Sequence, residues 1–344
     1  METRKLQQVG GGTFTVSIPK AWAQAHGLTA GSTIHLYDHA DGSVIIRSSA
    51  KDVEELDSAR VEVRGDAPKL VERALNAVHA IGFETVTLTS EPSFSDDQRR
   101  VARRVKRTLV GMEIFVDDAD EITVRNLLDP ANVSIQQSVV QLQYLVLSIQ
   151  EEATAGLTDP TEVGIDRLQG RQDEAGRHFR MVSRHFSRAL ISLAEIDELG
   201  TTRPELFDLY LTSQQLVRIT DHCIRMARHR ERMSAEQYAP VEDELEHVST
   251  RIHDLLDEAV TGVLDGNGID HAHRVLDGSE ETLSSLQSIE SQLVDSASEI
   301  DSSERMRTSM ADPSVDALSG IIDCGSTIGE IALRAALRDE NRCG

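Results

Sequence analysis

The side chains whose spacing most directly suggests chemistry in this sequence are histidines. His178 and His185 are seven residues apart, and so are His222 and His229, which places each pair on one face of a helix. Imidazoles on one face can bind a transition metal. Histidines in such positions more commonly hydrogen-bond the surface of a helical bundle, and we expect that role here.

The sequence contains no pattern that supports catalysis. It lacks a nucleophile elbow, a glycine-rich phosphate loop and an HExxH helix. Its three cysteines, Cys223, Cys324 and Cys343, have no paired spacing, which indicates neither a disulfide framework nor a zinc site. We therefore expect a protein that works by binding and not as an enzyme.

The chain is strongly acidic, and most of its cations are arginine. The 344 residues carry 35 Lys plus Arg against 58 Asp plus Glu, a net charge of −23, and no lysine follows Lys106. An acidic surface with arginine in place of lysine keeps a protein hydrated in concentrated salt. We expect a halophilic source, with an acidic protein from an ordinary cell as the alternative.

No segment is suited to membrane insertion or export. Apolar runs fall short of the roughly 20 residues that span a bilayer, and no signal-peptide core follows Met1. We expect a cytoplasmic protein without membrane insertion.

The first fifty residues are exempt from the acidic excess. Their four cations outnumber their three acids, for a net charge of +1, whereas residues 51–129 carry −5 and residues 130–344 carry −19. The N-terminal segment is therefore the part of the chain best able to approach a polyanion.

Residues 1–50 alternate between apolar and polar side chains, as short strands do. Phe14, Val16 and Ile18 are interleaved with polar residues, and a second alternating stretch contains an Asp41–Gly42 turn. Fifty residues of short strands bury too little surface to be stable alone. We expect a second copy of the chain to complete this module, which makes the protein a homodimer.

A short helix is predicted inside this module. Pro19 is expected to open it, the helix continues through Trp22, and Gly27 is placed to end it.

Residues 56–129 change to an α/β rhythm that predicts a small connector domain. Apolar periodicity indicates two helices, Pro68 to Ile81 and Asp96 to Leu109. Nothing in it resembles a catalytic cluster, so we expect a spacer or a support for the dimer. Its predicted strands lie at residues 61–63, 85–88, 112–116 and 121–124.

From residue 132 onward the pattern is helical. Breaks near Gly156–Pro160, Gly200–Pro204, Ser234–Pro240, Gly266–Gly268 and Asp301–Pro313 divide it into six long helices. Short matching stretches recur at offsets of about 106 and 102 residues, which suggests a duplicated unit. The predicted fold is multidomain α+β, ending in two tandem three-helix bundles at residues 132–232 and 240–340.

The N-terminal segment resembles a known family of DNA-binding domains. The resemblance rests on Val16-Ser-Ile-Pro19-Lys20, followed by Trp22, Gly27-Leu28 and Gly31. These residues are similar to the AbrB/SpoVT swapped-hairpin domain, which implies an interwoven dimeric β-barrel that contacts DNA.

The helical repeats resemble the PhoU phosphate-signalling family. The similarity lies in Arg171-Gln-Asp-Glu174, in Arg218-Ile-Thr-Asp221-His222, and in Asp323 with Glu330. The whole chain is similar to archaeal, in particular haloarchaeal, PhoU proteins that carry an AbrB-like N-terminus.

The first resemblance, together with the local charge, predicts a set of DNA contacts. Cations would contact phosphates, while amides and hydroxyls would hydrogen-bond bases or backbone. The candidates are Arg4, Lys5, Gln7, Gln8, Thr13, Thr15, Ser17 and Lys20.

The second resemblance implies a metal cluster held by two acids four residues apart, but this sequence departs from that pattern. The aligned pairs are Gln172/Gly176, Val217/Asp221 and Ser319/Asp323, so at least one acid is missing from each. A neutral partner cannot supply the charge that a hard cation needs. We expect no metal and no other cofactor; the remaining candidate ligands are Asp173, Glu174, Asp221 and Asp323.

Two functions are compatible with these features. The first is a homodimeric transcriptional regulator of phosphate uptake and homeostasis, which binds promoter DNA and relays phosphate status through the helical part. The alternative is an adaptor that does not bind DNA and regulates a phosphate transporter ATPase or a sensor kinase through protein contacts.

Overall fold

The computed structural model describes residues 3–10, 12–38, 42–48, 56–158, 164–232, 238–266, 268–298 and 312–342. The chain divides into two compact units, Met1–Glu55 and Leu56–Gly344. Each unit is described by itself below.

The N-terminal unit contains two short antiparallel hairpins. Strand β1 (Gln7–Val9) pairs with β2 (Thr13–Thr15), and β3 (His35–Asp38) pairs with β4 (Val44–Arg47). Alternating apolar residues predicted β2 and the second hairpin. They did not predict β1, and β2 ends at Thr15, before Val16 and Ile18 of the predicted strand. Asp41 of the predicted turn lies outside the described residues.

Helix α1 (Lys20–Ala25) lies between the two hairpins, as predicted. Pro19 occupies the N-cap with φ −58°, which suits the fixed proline ring. Gly27 follows the helix at φ +65°, and the amide of Leu28 donates to the carbonyl of Ala23. This left-handed glycine ends the helix because a residue with a Cβ would be strained there.

The second unit begins with the connector, a four-stranded sheet that carries two helices. The strand order is β5-β6-β8-β7, with β5 and β6 parallel and the other pairs antiparallel. Apolar side chains alternate along β6, so one face of the sheet packs with the helices into a core. The elements are β5 (Ser58–Glu62), α2 (Pro68–Ile81), β6 (Thr85–Thr89), α3 (Asp96–Lys106), β7 (Met112–Asp117) and β8 (Glu121–Asn126).

Helix α3 is shorter than predicted. Ser95 caps its N-terminus in a capping box with Gln98, but the helix ends at Lys106 and not at Leu109. The amide of Thr108 turns back to the carbonyl of Val105, which starts a tight turn toward β7. Apolar periodicity alone did not reveal this turn, because Leu109 is buried in the connector core like a helical residue.

The rest of this unit is helical, as predicted. In its described part, six helices have 24 residues or more, and a short helix that the sequence did not predict, α6, follows α5. Ser192 starts α6 by accepting a hydrogen bond from the amide of Glu195. The helices are α4 (Ile135–Thr158), α5 (Ile165–Ile191), α6 (Leu193–Leu199), α7 (Arg203–Arg230), α8 (Glu242–Asp265), α9 (Ile269–Ser298) and α10 (Pro313–Arg342).

The long helices pack in two groups of three. In the first group, α4, α5 and α7 all contact one another. In the second group, α8, α9 and α10 do the same. The corresponding members of the two groups also meet, α4 against α8 and α7 against α10. One continuous apolar core therefore runs through both groups.

Replacing Gly111 by alanine should destabilise the protein by about 1–3 kcal/mol. Gly111 has φ +81°, and an added Cβ would lie 2.4 Å from Cγ of Leu128. Urea denaturation would measure the change in the free energy of unfolding. Gly170→Ala is the matched control: this helical glycine has nothing within 4 Å of an added Cβ, so its replacement should stabilise by about 0.5–1 kcal/mol. Equal effects of the two substitutions would contradict the strained turn.

Candidate functional site

The first hairpin has one polar and one apolar face. Gln7 lies opposite Thr15, and Val9 lies opposite Thr13, so these four side chains share a face. The hydroxyl of Thr15 donates to the carbonyl of Gln7 at 3.3 Å. Apart from Val9, this face offers amide and hydroxyl groups that can hydrogen-bond bases or phosphates.

The opposite face of the hairpin is apolar. Gln8 lies across from Phe14, and Leu6 and Val16 continue the face at the next alternating positions. Phe14 is 66% exposed and Leu6 is 70% exposed. Gln8, one of the predicted DNA contacts, therefore lies among apolar side chains, away from Gln7 and Thr15.

All eight predicted DNA contacts are exposed. Lys5 and Lys20 make no ion pair with any residue that the structure describes. Arg4 donates to the carbonyl of Thr3 at 3.4 Å. Lys20 is the first residue of α1, and Ser17 precedes that helix. Cations and hydrogen-bonding side chains thus occur together at the surface of this unit.

The second hairpin also exposes apolar side chains. Leu36 pairs with Ile46 and Asp38 pairs with Val44 on one face, and Leu36 is 64% exposed. On the other face, the guanidinium of Arg47 lies 5.6 Å from the centre of the Tyr37 ring. The second hairpin therefore adds to the uncovered apolar surface of the N-terminal unit.

The candidate metal ligands do not form a group of three or more among the described residues. Asp173 and Glu174 are exposed on α5, and Asp221 on α7 accepts a hydrogen bond from Nε2 of Gln172 at 2.7 Å. Asp323 is exposed on α10. Among the described residues, no group of three or more metal-binding side chains has suitable geometry. The residues present do not fit the cluster that the second resemblance implies.

The paired histidines have separate hydrogen-bonding roles in the bundle. Nδ1 of His185 donates to Glu195 at 2.6 Å, and Nδ1 of His222 accepts from Arg225 at 2.8 Å. His229 lies 3.7 Å from Asp312.

A buried arginine joins the connector to the helical bundle. Arg184 of α5 is 1% exposed and donates to the carbonyls of His79 and Phe83, at 3.3 and 3.0 Å. Its guanidinium also pairs with Glu84 at 3.3 Å. Burial lowers the pKa of Arg184 to about 10, which leaves it charged at neutral pH. The arginine binds the carbonyl end of α2, where a cation is electrostatically favoured.

Neighbouring groups extend this anchor. Arg188 donates to the carbonyl of Gly82 at 2.8 Å and to Glu195 at 2.8 Å, and Arg180 donates to the carbonyl of Thr108 at 3.2 Å. Burial raises the pKa of Glu195, but hydrogen bonds from His185 and Arg188 outweigh burial, so this pKa lies below its ordinary value. The connector and α5 are thus joined by a network of buried hydrogen bonds.

The sequence analysis missed this anchor, although a signal was present. Arg180, Arg184 and Arg188 are four residues apart and form one stripe along α5. In an acidic chain, such a stripe indicates a face that meets carbonyls or carboxylates. The partner atoms could not be identified, since they are main-chain carbonyls of another element.

The N-terminal unit matches a known protein family. Residues 7–53 match the family model described as antidote-toxin recognition MazE, bacterial antitoxin. The match supports the expected AbrB-like N-terminal domain and covers the two hairpins and α1. No curated protein and no solved structure is significantly similar to the chain. None of the helices in the described residues is long and apolar enough to cross a membrane.

The anchor should make stability depend on pH through His79. Burial and the nearby charges of Arg184 and Arg180 lower the pKa of His79 from 6.5 to about 3. Because the unfolded chain binds this proton more readily, stability should fall as pH drops from 6.5 toward 3, by about 2 kcal/mol between pH 7 and pH 5. Urea denaturation at the two pH values would measure this loss.

His79→Asn should remove that part of the pH dependence. His247→Asn, at an exposed position on α8, should retain it. The same loss of stability in wild type and His79→Asn would show that His79 does not stay neutral in the folded protein.

Proposed function

We propose that the protein is a dimeric transcriptional regulator that binds promoter DNA through its N-terminal unit. It responds to phosphate status through its helical unit, which is the part of the second unit formed by helices α4 to α10. The observation that carries the proposal is the two-faced hairpin, which exposes hydrogen-bonding side chains on one face and uncovered apolar side chains on the other. The family match over residues 7–53 supports it.

The exposed apolar side chains of the two hairpins support dimerisation. Phe14, Leu6, Leu36 and Val44 are each more than 60% exposed, and each forgoes about 1.5–3 kcal/mol of burial while it remains in water. A second copy can cover these side chains with the same residues of its own, as a two-fold interface requires. The dimer would then present two polar faces.

The polar face and the cations support DNA binding. Residues 1–50 carry a net charge of +1, whereas the remaining segments carry −5 and −19, so repulsion disfavours an approach of DNA to the helical unit. Few cations are available, and concentrated salt further weakens their attraction to DNA phosphates. Base selection would therefore rest on hydrogen bonds from Gln7, Thr13 and Thr15.

The proposed role of the helical unit rests on its resemblance to PhoU proteins. The two groups of three packed helices are consistent with it. We propose that this unit is not catalytic and that its acidic surface docks a phosphate transporter ATPase or a sensor kinase. Phosphate homeostasis is the process in which we place the protein.

One observation favours the alternative, an adaptor without DNA binding. The N-terminal segment holds only four cations, Arg4, Lys5, Lys20 and Arg47, which is a small electrostatic footprint for DNA. In that case the hairpins would serve dimerisation alone.

Lys20→Ala should weaken binding to promoter fragments from phosphate-transport operons, because the lysine has no acidic partner in the described part of the chain and would contact a phosphate. The slope of log affinity against log KCl concentration should decrease by about one. Fluorescence anisotropy across a KCl series would measure both effects. Lys69→Ala, an exposed lysine of α2, is the matched control and should leave affinity unchanged. Lack of detectable binding by the wild type would leave the adaptor as the function.

Phe14→Asp should dissociate the dimer, because it places a charge in the proposed interface. The dissociation constant should rise by about a hundredfold or more. Sedimentation velocity would measure the change, with Thr15→Asp on the opposite face as the control that stays dimeric. A wild type that sediments as a monomer would rule out the dimer.

A further inference from the structure

We propose that a cleft between the connector and helices α4 and α5 binds a small ligand through its phosphate group. The cleft has a volume of about 680 Å³. One wall is the turn between α3 and β7, and the other is formed by the start of α4 and the middle of α5. The side chains that carry the proposal are Arg107, Gln137, Gln141, Arg177 and His178.

Two arginines of this cleft have no acidic partner among the described residues. Lys106 is paired with Glu113 at 2.7 Å. Arg107 and Arg177 make no ion pair with any described residue, although Glu174 also lines the cleft. Two exposed arginines that line one cavity, in segments whose net charges are −5 and −19, favour an anionic ligand.

The wall that carries Arg107 is rigidly held. The carbonyl of the next residue, Thr108, accepts a hydrogen bond from Arg180 of α5. The turn ends at Gly111, where an added Cβ would meet the side chains of Leu128 and Asn126. Because these contacts fix the turn, the main chain at Arg107 needs no ordering when a ligand binds.

The chemistry of the lining favours a phosphate group over a carboxylate. Two guanidiniums can share the several oxygens of one phosphate through charge-assisted hydrogen bonds. Burial lowers the pKa of His178, so its imidazole is a neutral hydrogen-bonding group at pH 7, as are the amides of Gln137 and Gln141. The volume suits a nucleotide-sized molecule. Inorganic phosphate and a nucleotide present the same group.

The inference deepens the proposed function, on which it rests for its biological meaning, because it gives the regulator an effector site. The cleft walls belong to the connector and to the bundle, so a bound ligand contacts both. Ligand binding and DNA binding can nevertheless be measured separately on the same protein.

Isothermal titration of the full-length protein with sodium phosphate, ATP and adenosine tests the site. We expect the wild type to bind ATP, phosphate or both at millimolar concentration or below and not to bind adenosine. The double variant Arg107→Gln/Arg177→Gln should weaken that binding at least about tenfold. Arg73→Gln, at an exposed arginine of α2 outside the cleft, should bind as the wild type does.

The outcomes distinguish a nucleotide from inorganic phosphate as the ligand, and they test the ligand site separately from the proposed DNA binding. Binding of ATP alone identifies a nucleotide site, and binding of phosphate as well identifies the phosphate group as sufficient. The site would be overturned if neither ATP nor phosphate binds. It would also be overturned if the double variant binds as tightly as the wild type, or if adenosine binds as tightly as ATP. Thermal melting should show that both variants are folded. If the wild-type protein binds promoter DNA but neither ATP nor phosphate, the ligand site is overturned and the proposed DNA binding stands.

Discussion

The N-terminal unit cannot bury its own apolar side chains, and its proposed role depends on this constraint. None of its described residues, 3–10, 12–38 and 42–48, is buried. Two three-residue strands and a pair of four-residue strands are too small to enclose a core. In the proposed dimer, a second copy would supply the missing burial and leave the polar faces available to DNA.

The second unit is in the opposite situation, since it encloses two cores of its own. Its connector is joined to α5 by Arg184, whose charge is compensated by carbonyls and Glu84. A buried charge with these partners tolerates little displacement, because each partner that it loses leaves the charge less compensated. The connector and bundle are therefore expected to move as one body.

Local signals predicted much of the fold. The helix from Pro68 to Ile81 has the predicted bounds, because proline opens it and Gly82 in the left-handed conformation ends it. The end of α3 and the short α6 were missed, since tertiary contacts and a serine cap decide them. At the candidate site, alternation predicted β2 and the second hairpin but not β1, and only the register showed that Gln8 lies with Phe14. The stripe of arginines was visible in the sequence, whereas its carbonyl partners come from a distant segment.

Hydrogen exchange of the full-length protein, measured by mass spectrometry with and without a promoter fragment, tests most directly whether the N-terminal unit reads DNA. Backbone amides report contact along the whole chain in one experiment. We predict slower exchange between residues 4 and 20 and unchanged exchange in the long helices. Protection of the helices with the hairpin unchanged would contradict the assignment of the DNA-binding surface.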